Sequence, residues 1–206
     1  SNMWDIEELN GKMNNYVFTH PNLLHPFHLT MCHRQHFVYQ IERYDNFAYF
    51  EDDMLLPYEN YLSYLEKFKF MYPKYVPSFI RLEFKEGEAY VSDVPVAQQI
   101  KDVVIFEGRT FFALPFPFHY HGFWIMPQKE LKESLTASFT KLDDSRERAA
   151  TYPMWELKKR GLIEITDVSG KWQVAENCYS YHLPNNYALN TGDFPNGKLL
   201  VKDIFI

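Results

Sequence analysis

The junction Phe47-Ala48-Tyr49-Phe50-Glu51-Asp52-Asp53 constrains the fold more than any other stretch of this chain. Four apolar residues run straight into three carboxylates. A short continuous apolar run predicts a strand buried on both faces, as in the middle of a parallel or mixed sheet. The three acids cannot belong to the core, because unpaired buried charge is too costly. They belong at the mouth of the sheet, at the carboxyl end of the strand, where open α/β folds keep their ligands. Alternation along a strand sends Glu51 and Asp53 to one side and Asp52 to the other. Two carboxylates on one side suit Mg²⁺ or Mn²⁺, which takes one or two protein carboxylates and leaves its other positions to water and phosphate oxygens. The plainer alternative is a solvated acidic turn ahead of a helix, since acids favour helix starts.

The chain around this junction has 206 residues, which at ~150 residues per domain predicts one domain spanning 1–206 with a real core. Aromatics are 18% of the residues, enough for a large rigid interior, and some of those rings are candidates for a sugar-binding face. The net charge of −6 argues against a surface that coats a nucleic acid polymer, but not against one nucleotide whose charge a metal neutralises. Cys32 and Cys178 are far apart and lack zinc-type spacing, so no disulfide framework is expected and a reducing, cytoplasmic compartment is favoured. No apolar run approaches the ~20 residues of a membrane span. Ser1-Asn2-Met3 reads as an expression scar, which leaves a removed signal or anchor open.

Read in order, residues 3–12 suggest a short helix and Asn15 to Thr19 a strand. Leu29, His33, Phe37, Ile41 and Tyr44 recur at helical intervals, so a helix carries His28, His33 and His36. Five histidines between His20 and His36 invite a metal reading, weakened because no cysteine pair and few acids accompany them. Arg34 is read as a surface ion pair or as a residue reaching a phosphate. A helix from Pro57 presents Tyr58, Tyr61, Leu62, Leu65 and Phe68 as one stripe for packing. Ile80 to Lys85 alternates, turns at Gly87 and returns at Ala89 to Val91, and Val103 to Leu114 repeats the pattern around Glu107-Gly108. Gly122, in His121-Gly122-Phe123-Trp124, lets backbone approach a ligand or marks a tight bend. Asp144-Ser145-Arg146-Glu147 has the form of a capping box, opening a helix that Pro153 kinks and that runs to Lys158-Lys159-Arg160 and Gly161. Strands follow at Leu162 to Thr166 and Trp172 to Val174, and His182 stands at the end of a strand-like run before Leu183-Pro184-Asn185-Asn186.

The segment Tyr44 to Leu55 resembles the metal-binding segment of GT-A glycosyltransferases, in which an apolar strand ends in a D-x-D motif with E-D-D as a variant. The resemblance runs in broad order from about Asn15 to Tyr187 and implies a GT-A-like mixed sheet flanked by helices. It also implies a nucleotide-sugar donor whose diphosphate is held by Mn²⁺ or Mg²⁺ on Glu51 and Asp53, with His182 brought back to the same ion. By the same resemblance, His33-Arg34 corresponds to a basic helix ahead of the acidic strand. His121, Gly122 and Trp124 correspond to the floor of the donor and acceptor pocket. Glu147, Asp144 or Asp143 stands where many inverting members keep a catalytic base. Only 50 residues precede Glu51, where the family usually has a full βαβ unit, so either part of the nucleotide-binding half is absent from this sequence or the fold is a variant with that half shortened.

The function these readings imply is a metal-dependent glycosyltransferase acting from a nucleotide-sugar donor on a sugar or protein acceptor. Two alternatives stand beside it: a two-metal phosphoesterase built on the histidine cluster with Glu51 and Asp53, and a glycosyltransferase-like binding module without catalysis.

Overall fold

A computed structural model describes residues 23, 28–92, 102–114, 121–136, 139, 146–189 and 197–204. The protein is a mixed α/β structure. In chain order the elements are α1 (Leu29–Gln40), β1 (Asn46–Phe50), β2 (Met54–Leu55), α2 (Tyr58–Met71), β3 (Tyr75–Pro77), β4 (Ile80–Lys85), β5 (Glu88–Val91), β6 (Val103–Phe106) and β7 (Arg109–Ala113). They continue with β8 (Phe123–Pro127), α3 (Gln128–Ser134), α4 (Arg146–Leu157), β9 (Arg160–Val168), β10 (Lys171–Val174), β11 (Tyr179–His182) and β12 (Leu199–Leu200). The helix and strand expected at 3–12 and 15–19 lie outside the described residues.

The strands form three sheets. β1 pairs with β8; β10, β9, β7 and β6 form a second sheet to which β3 adds through β9; and the third runs β12-β5-β4-β11-β2. Most neighbours are antiparallel, but β4 with β11 and β3 with β9 are parallel. Three two-residue loops of the form X-Gly close the hairpins. Glu86-Gly87, Glu107-Gly108 and Ser169-Gly170 all have positive φ at both positions, as the turn that matches strand twist requires. The hairpins expected at 80–91, 103–114 and 162–174 therefore form, and their sequences set the registers Lys85↔Glu88, Phe106↔Arg109 and Val168↔Lys171.

The largest core cluster gathers Phe47, Tyr64, Phe68, Phe79, Trp124, Met126, Leu131 and Tyr152 between α2, β8, α3 and α4. A second lies between the two larger sheets, with Ile80, Leu82, Phe112, Ile163 and Val174. Both are rich in rings and branched chains that interlock at high density.

Several expectations are corrected. The 47–50 strand forms, but among the described residues β1 pairs with β8 alone, and Phe50 is 40% exposed. The acids do not extend that strand. Met54 donates its N–H to the Glu51 carbonyl (3.1 Å), so residues 51–53 turn, and strand alternation does not govern them. On α2 the buried face is Asn60, Tyr64, Lys67, Phe68 and Met71, while Tyr58 and Leu62 are exposed. Polar Asn60 and Lys67 hid that face from a hydrophobic pattern. Asn60 donates to the Tyr179 carbonyl (2.8 Å), and Lys67 reaches Asn177 Oδ1 (2.7 Å) and Glu164 (3.0 Å). Helix α4 departs from helical backbone at Thr151, two residues before Pro153, as the proline predicts. It ends at Leu157, however, and Arg160 and Gly161 belong to β9, so the cationic triplet is not its last turn.

Candidate functional site

The site is assembled where β11 ends against β4. The parallel register Tyr181↔Leu82 sets Glu83 beside His182, the last residue of β11. On its other edge β11 pairs antiparallel with β2, His182 opposite Met54, and Leu183 donates its N–H to the Asp53 carbonyl (2.9 Å). The turn at 51–53 is thereby fastened against the end of β11. His182, 129 residues from Asp53 in sequence, places its Nε2 3.2 Å from Asp53 Oδ2. Its other ring nitrogen, Nδ1, is hydrogen-bonded to Glu83 Oε1. The carboxyl end of β11 thus holds the imidazole between Glu83 of β4 on one edge and the acidic turn ahead of β2 on the other.

Glu83 is fully buried, at 0% exposure. A carboxylate there requires partners. Its Oε2 accepts the backbone N–H groups of Tyr187 (2.7 Å) and Ala188 (2.6 Å), while Oε1 faces His182. The His182 ring also stacks on Tyr187, with centroids 5.4 Å apart. Asp53 keeps its Oδ1 buried without a hydrogen-bond partner among the described residues.

That orphaned oxygen and the 3.2 Å edge are the test of fit for a divalent ion. Two cis ligands of an octahedral ion with ~2.1 Å bonds are ~3.0 Å apart, close to the observed separation. Nitrogen beside carboxylate oxygen suits Mn²⁺ better than Mg²⁺, which prefers oxygen alone. The donor set is small. Among the described residues no three His, Cys, Asp or Glu side chains form a ready metal-holding group. Such a pair fits an ion that takes its remaining ligands from water and phosphate.

Glu51 stands at the entrance to the same turn, its N–H donating to the Gly122 carbonyl (2.8 Å). Gly122 has φ +73, and a Cβ there would lie 2.8 Å from Met54 Cγ, 3.0 Å from its Sδ and 3.4 Å from Glu51 Oε2. Glycine is required both by the backbone and by the packing of the acidic turn against it. His121, buried, is hydrogen-bonded through Nε2 to Ser78 Oγ (2.7 Å). Gly122 therefore adjoins the turn, while the His121 side chain faces Ser78 and the rings of Phe79 and Phe123.

Trp124 and Arg34 do not adjoin the turn. Trp124 is 2% exposed and donates its indole N–H to the Ala150 carbonyl (3.0 Å). Arg34 is 1% exposed, donates to the Phe139 carbonyl (3.0 Å), and lies over the rings of Tyr152 and Phe139. Its planar guanidinium suits stacking between rings, and it serves the core rather than a surface ion pair or a phosphate. Nor do the α1 histidines build a metal group. His33 stacks on Tyr49 at 4.2 Å, with both ring nitrogens buried in the aromatic core. Asp143, Asp144 and the Glu147 side chain lie outside the described residues.

Sequence reasoning missed Glu83. It alternates with Leu82 and Phe84, which predicts a solvent-facing acid, yet Phe84 is 48% exposed and stacks on Tyr181. β4 is buried on both faces from Ile80 to Glu83, and no local pattern signals this, because β11 covers it. Among the described residues no helix is long and apolar enough to cross a membrane. Comparison with protein-family models, with curated proteins and with solved structures gives no match.

Proposed function

We propose that this chain is a metal-dependent glycosyltransferase that moves a sugar from a nucleotide-diphosphate donor to an acceptor hydroxyl. One observation carries the reading: Asp53 and His182, remote in sequence, meet edge to edge at the carboxyl end of β11. Asp53 and His182 Nε2 would hold the ion. When bound, the ion neutralises and orients the diphosphate leaving group. Glu51, at the entrance of the same turn, would be the further carboxylate that the resemblance implies for the ion. Gly122 allows the backbone to lie against the acidic turn, which supports a place for Gly122 beside the donor sugar, and by the resemblance His121 belongs to the same pocket floor. For an inverting reaction the base is assigned to Glu147 or Asp144, as the resemblance implies, and its role is to take the acceptor hydroxyl proton.

Thermal shift with Mn²⁺ and nucleoside diphosphates, against an EDTA control, tests this reading. Binding to the folded state raises the melting temperature by linkage. The expected result is a Mn²⁺-dependent rise that Asp53→Ala abolishes while the variant stays folded. A parent with no response to Mn²⁺ plus any nucleoside diphosphate, or a variant that responds as the parent does, overturns it.

A further inference from the structure

The two larger sheets enclose a core, but at one end they part and leave inward-facing rings uncovered. On β4, Phe84 lies on the same face as Leu82, a residue of that core, yet Phe84 is 48% exposed. On β10, Trp172 lies on the same face as Val174, again a core residue, yet Trp172 is 41% exposed. Both rings line one cleft of about 1100 Å³, with Tyr179 beside them. That volume matches the largest ligand clefts, which run to ~1,000 Å³.

The polar part of the lining is charge-balanced. Among the described residues it holds two acids, Glu88 and Glu176, and two lysines, Lys171 and Lys202. Lys202 already donates to Glu88 Oε1 (2.9 Å). Gln173 adds an amide that both donates and accepts. No net charge faces an occupant, which argues against a nucleotide, a phosphate or an acidic polymer. Rings with hydrogen-bonding side chains between them suit a neutral molecule that has apolar faces and many hydroxyls. A sugar has both, with C–H groups across its ring faces and hydroxyls around its rim.

The rings also lead towards the acidic turn. Phe84 stacks on Tyr181, centroids 5.9 Å apart, and Tyr181 immediately precedes His182. Across β11, Tyr181 pairs with Leu55, which is 49% exposed and stands two residues after Asp53. Directly opposed residues share a face, so Phe84, Tyr181 and Leu55 form one band over three strands.

We propose that this cleft binds a neutral oligosaccharide and that the oligosaccharide is the acceptor of the transfer. A chain of sugars lying along the band has its end at the turn. The acceptor role rests on the glycosyltransferase reading. The binding does not, since neither Asp53 nor His182 lines the cleft. In the transfer an acceptor hydroxyl oxygen bonds to the anomeric carbon of the donor as the bond from that carbon to the diphosphate breaks. The hydroxyl proton and the nucleoside diphosphate are released. Among the described residues β10 is an edge strand, so an extended peptide adding to it is the competing occupant. Such a peptide would use the backbone of the edge rather than the rings.

NMR of the tryptophan indole N–H groups tests the binding on the full chain, in EDTA and without nucleotide. The probes are neutral hexasaccharides of glucose, N-acetylglucosamine, xylose and mannose. At least one is expected to shift the Trp172 signal and to saturate with a dissociation constant of about 1 mM or below. The Trp124 signal, from a buried indole bonded to the Ala150 carbonyl, is expected to stay in place. By calorimetry, Trp172→Ala weakens binding roughly tenfold or more, while Leu62→Ala, outside the cleft, leaves it unchanged. The shift in the parent stands as a test even if Trp172→Ala does not fold. No saturable shift with any of the four sugars overturns the proposal, as does a Trp172→Ala protein that binds as the parent does. So does a Trp172 signal that responds to a Val-Thr repeat peptide and to none of the sugars. Incubating the bound oligosaccharide with Mn²⁺ and UDP- and GDP-sugars is expected to give a product one sugar heavier by mass spectrometry. No heavier product from a protein that does respond to Mn²⁺ and nucleoside diphosphate overturns the acceptor role. A protein that binds the oligosaccharide but shows no such response keeps the cleft and loses the transferase reading.

Discussion

His33 is expected to make this protein sensitive to mild acid. Burial pushes its imidazole down to about 3 from an ordinary 6.5, and the adjacent Arg34 charge pushes the same way. A contact with the Thr30 backbone opposes the shift, and His36 adds slightly to it. Neither ring nitrogen has a hydrogen-bond partner of good geometry, and the ring is stacked on Tyr49 with Phe37 and Trp124 at its edges. The folded state therefore keeps His33 neutral where the unfolded chain takes up a proton. A depressed histidine costs nothing above about pH 6.5, and stability is lost as pH falls from there towards 3. Between pH 7 and pH 5 the loss is about 2 kcal/mol, growing to roughly 5 kcal/mol below pH 3. For a chain of this size, 2 kcal/mol is ~4–8 °C in melting temperature. His33→Phe keeps the stacking and removes the proton site, so its melting temperature falls less than the parent's over the same pH range. Parallel pH profiles for parent and variant would refute the reasoning. So would an NMR titration of the parent in which His33 charges near its ordinary value.

Two further outcomes follow from packing. Gly122→Ala meets both a left-handed backbone and the Met54 side chain, so about 1–3 kcal/mol of stability is lost. Because Glu51 is also in contact, the proposed Mn²⁺ binding is expected to weaken with it, and chemical denaturation with a parallel Mn²⁺ titration checks both. Glu164 is held down in pKa. Burial works to raise it, but hydrogen bonds and charge from Arg109 and Lys67 outweigh burial. Its contribution to stability is present above the usual carboxylate range and lost as pH falls through it. Glu164→Gln leaves Lys67, 3% exposed, facing a neutral amide, with an expected loss of about 3 kcal/mol in urea denaturation at pH 7. A loss below 1 kcal/mol would show that Asn177 and Cys178 suffice as partners for the ammonium.

Local chemistry determined much of this molecule. Residue pairs such as Glu86-Gly87 and Ser169-Gly170 close hairpins because their own backbone conformations suit the turn, and each turn sets a register between neighbours in sequence. Pro153 bends α4 wherever that helix is packed, and Pro127 precedes α3 because proline ends a strand and tolerates a helix start. The strand at 47–50 was also legible, but that the acids after it turn instead of extending it was not. Which faces are buried was decided elsewhere. Alternation in β4 says that Arg81 and Glu83 share a face, but their burial depends on β11, which arrives from about 100 residues away. Lys67 and Arg34 look like surface residues until Glu164 and the rings of Tyr152 and Phe139 surround them. The meeting of His182 with Asp53 was suggested by resemblance alone, and the partner that orients it, Glu83, by nothing in the sequence. A buried charge is tolerated only when its partners are in place, and those partners are supplied by strands that tertiary packing alone brings together.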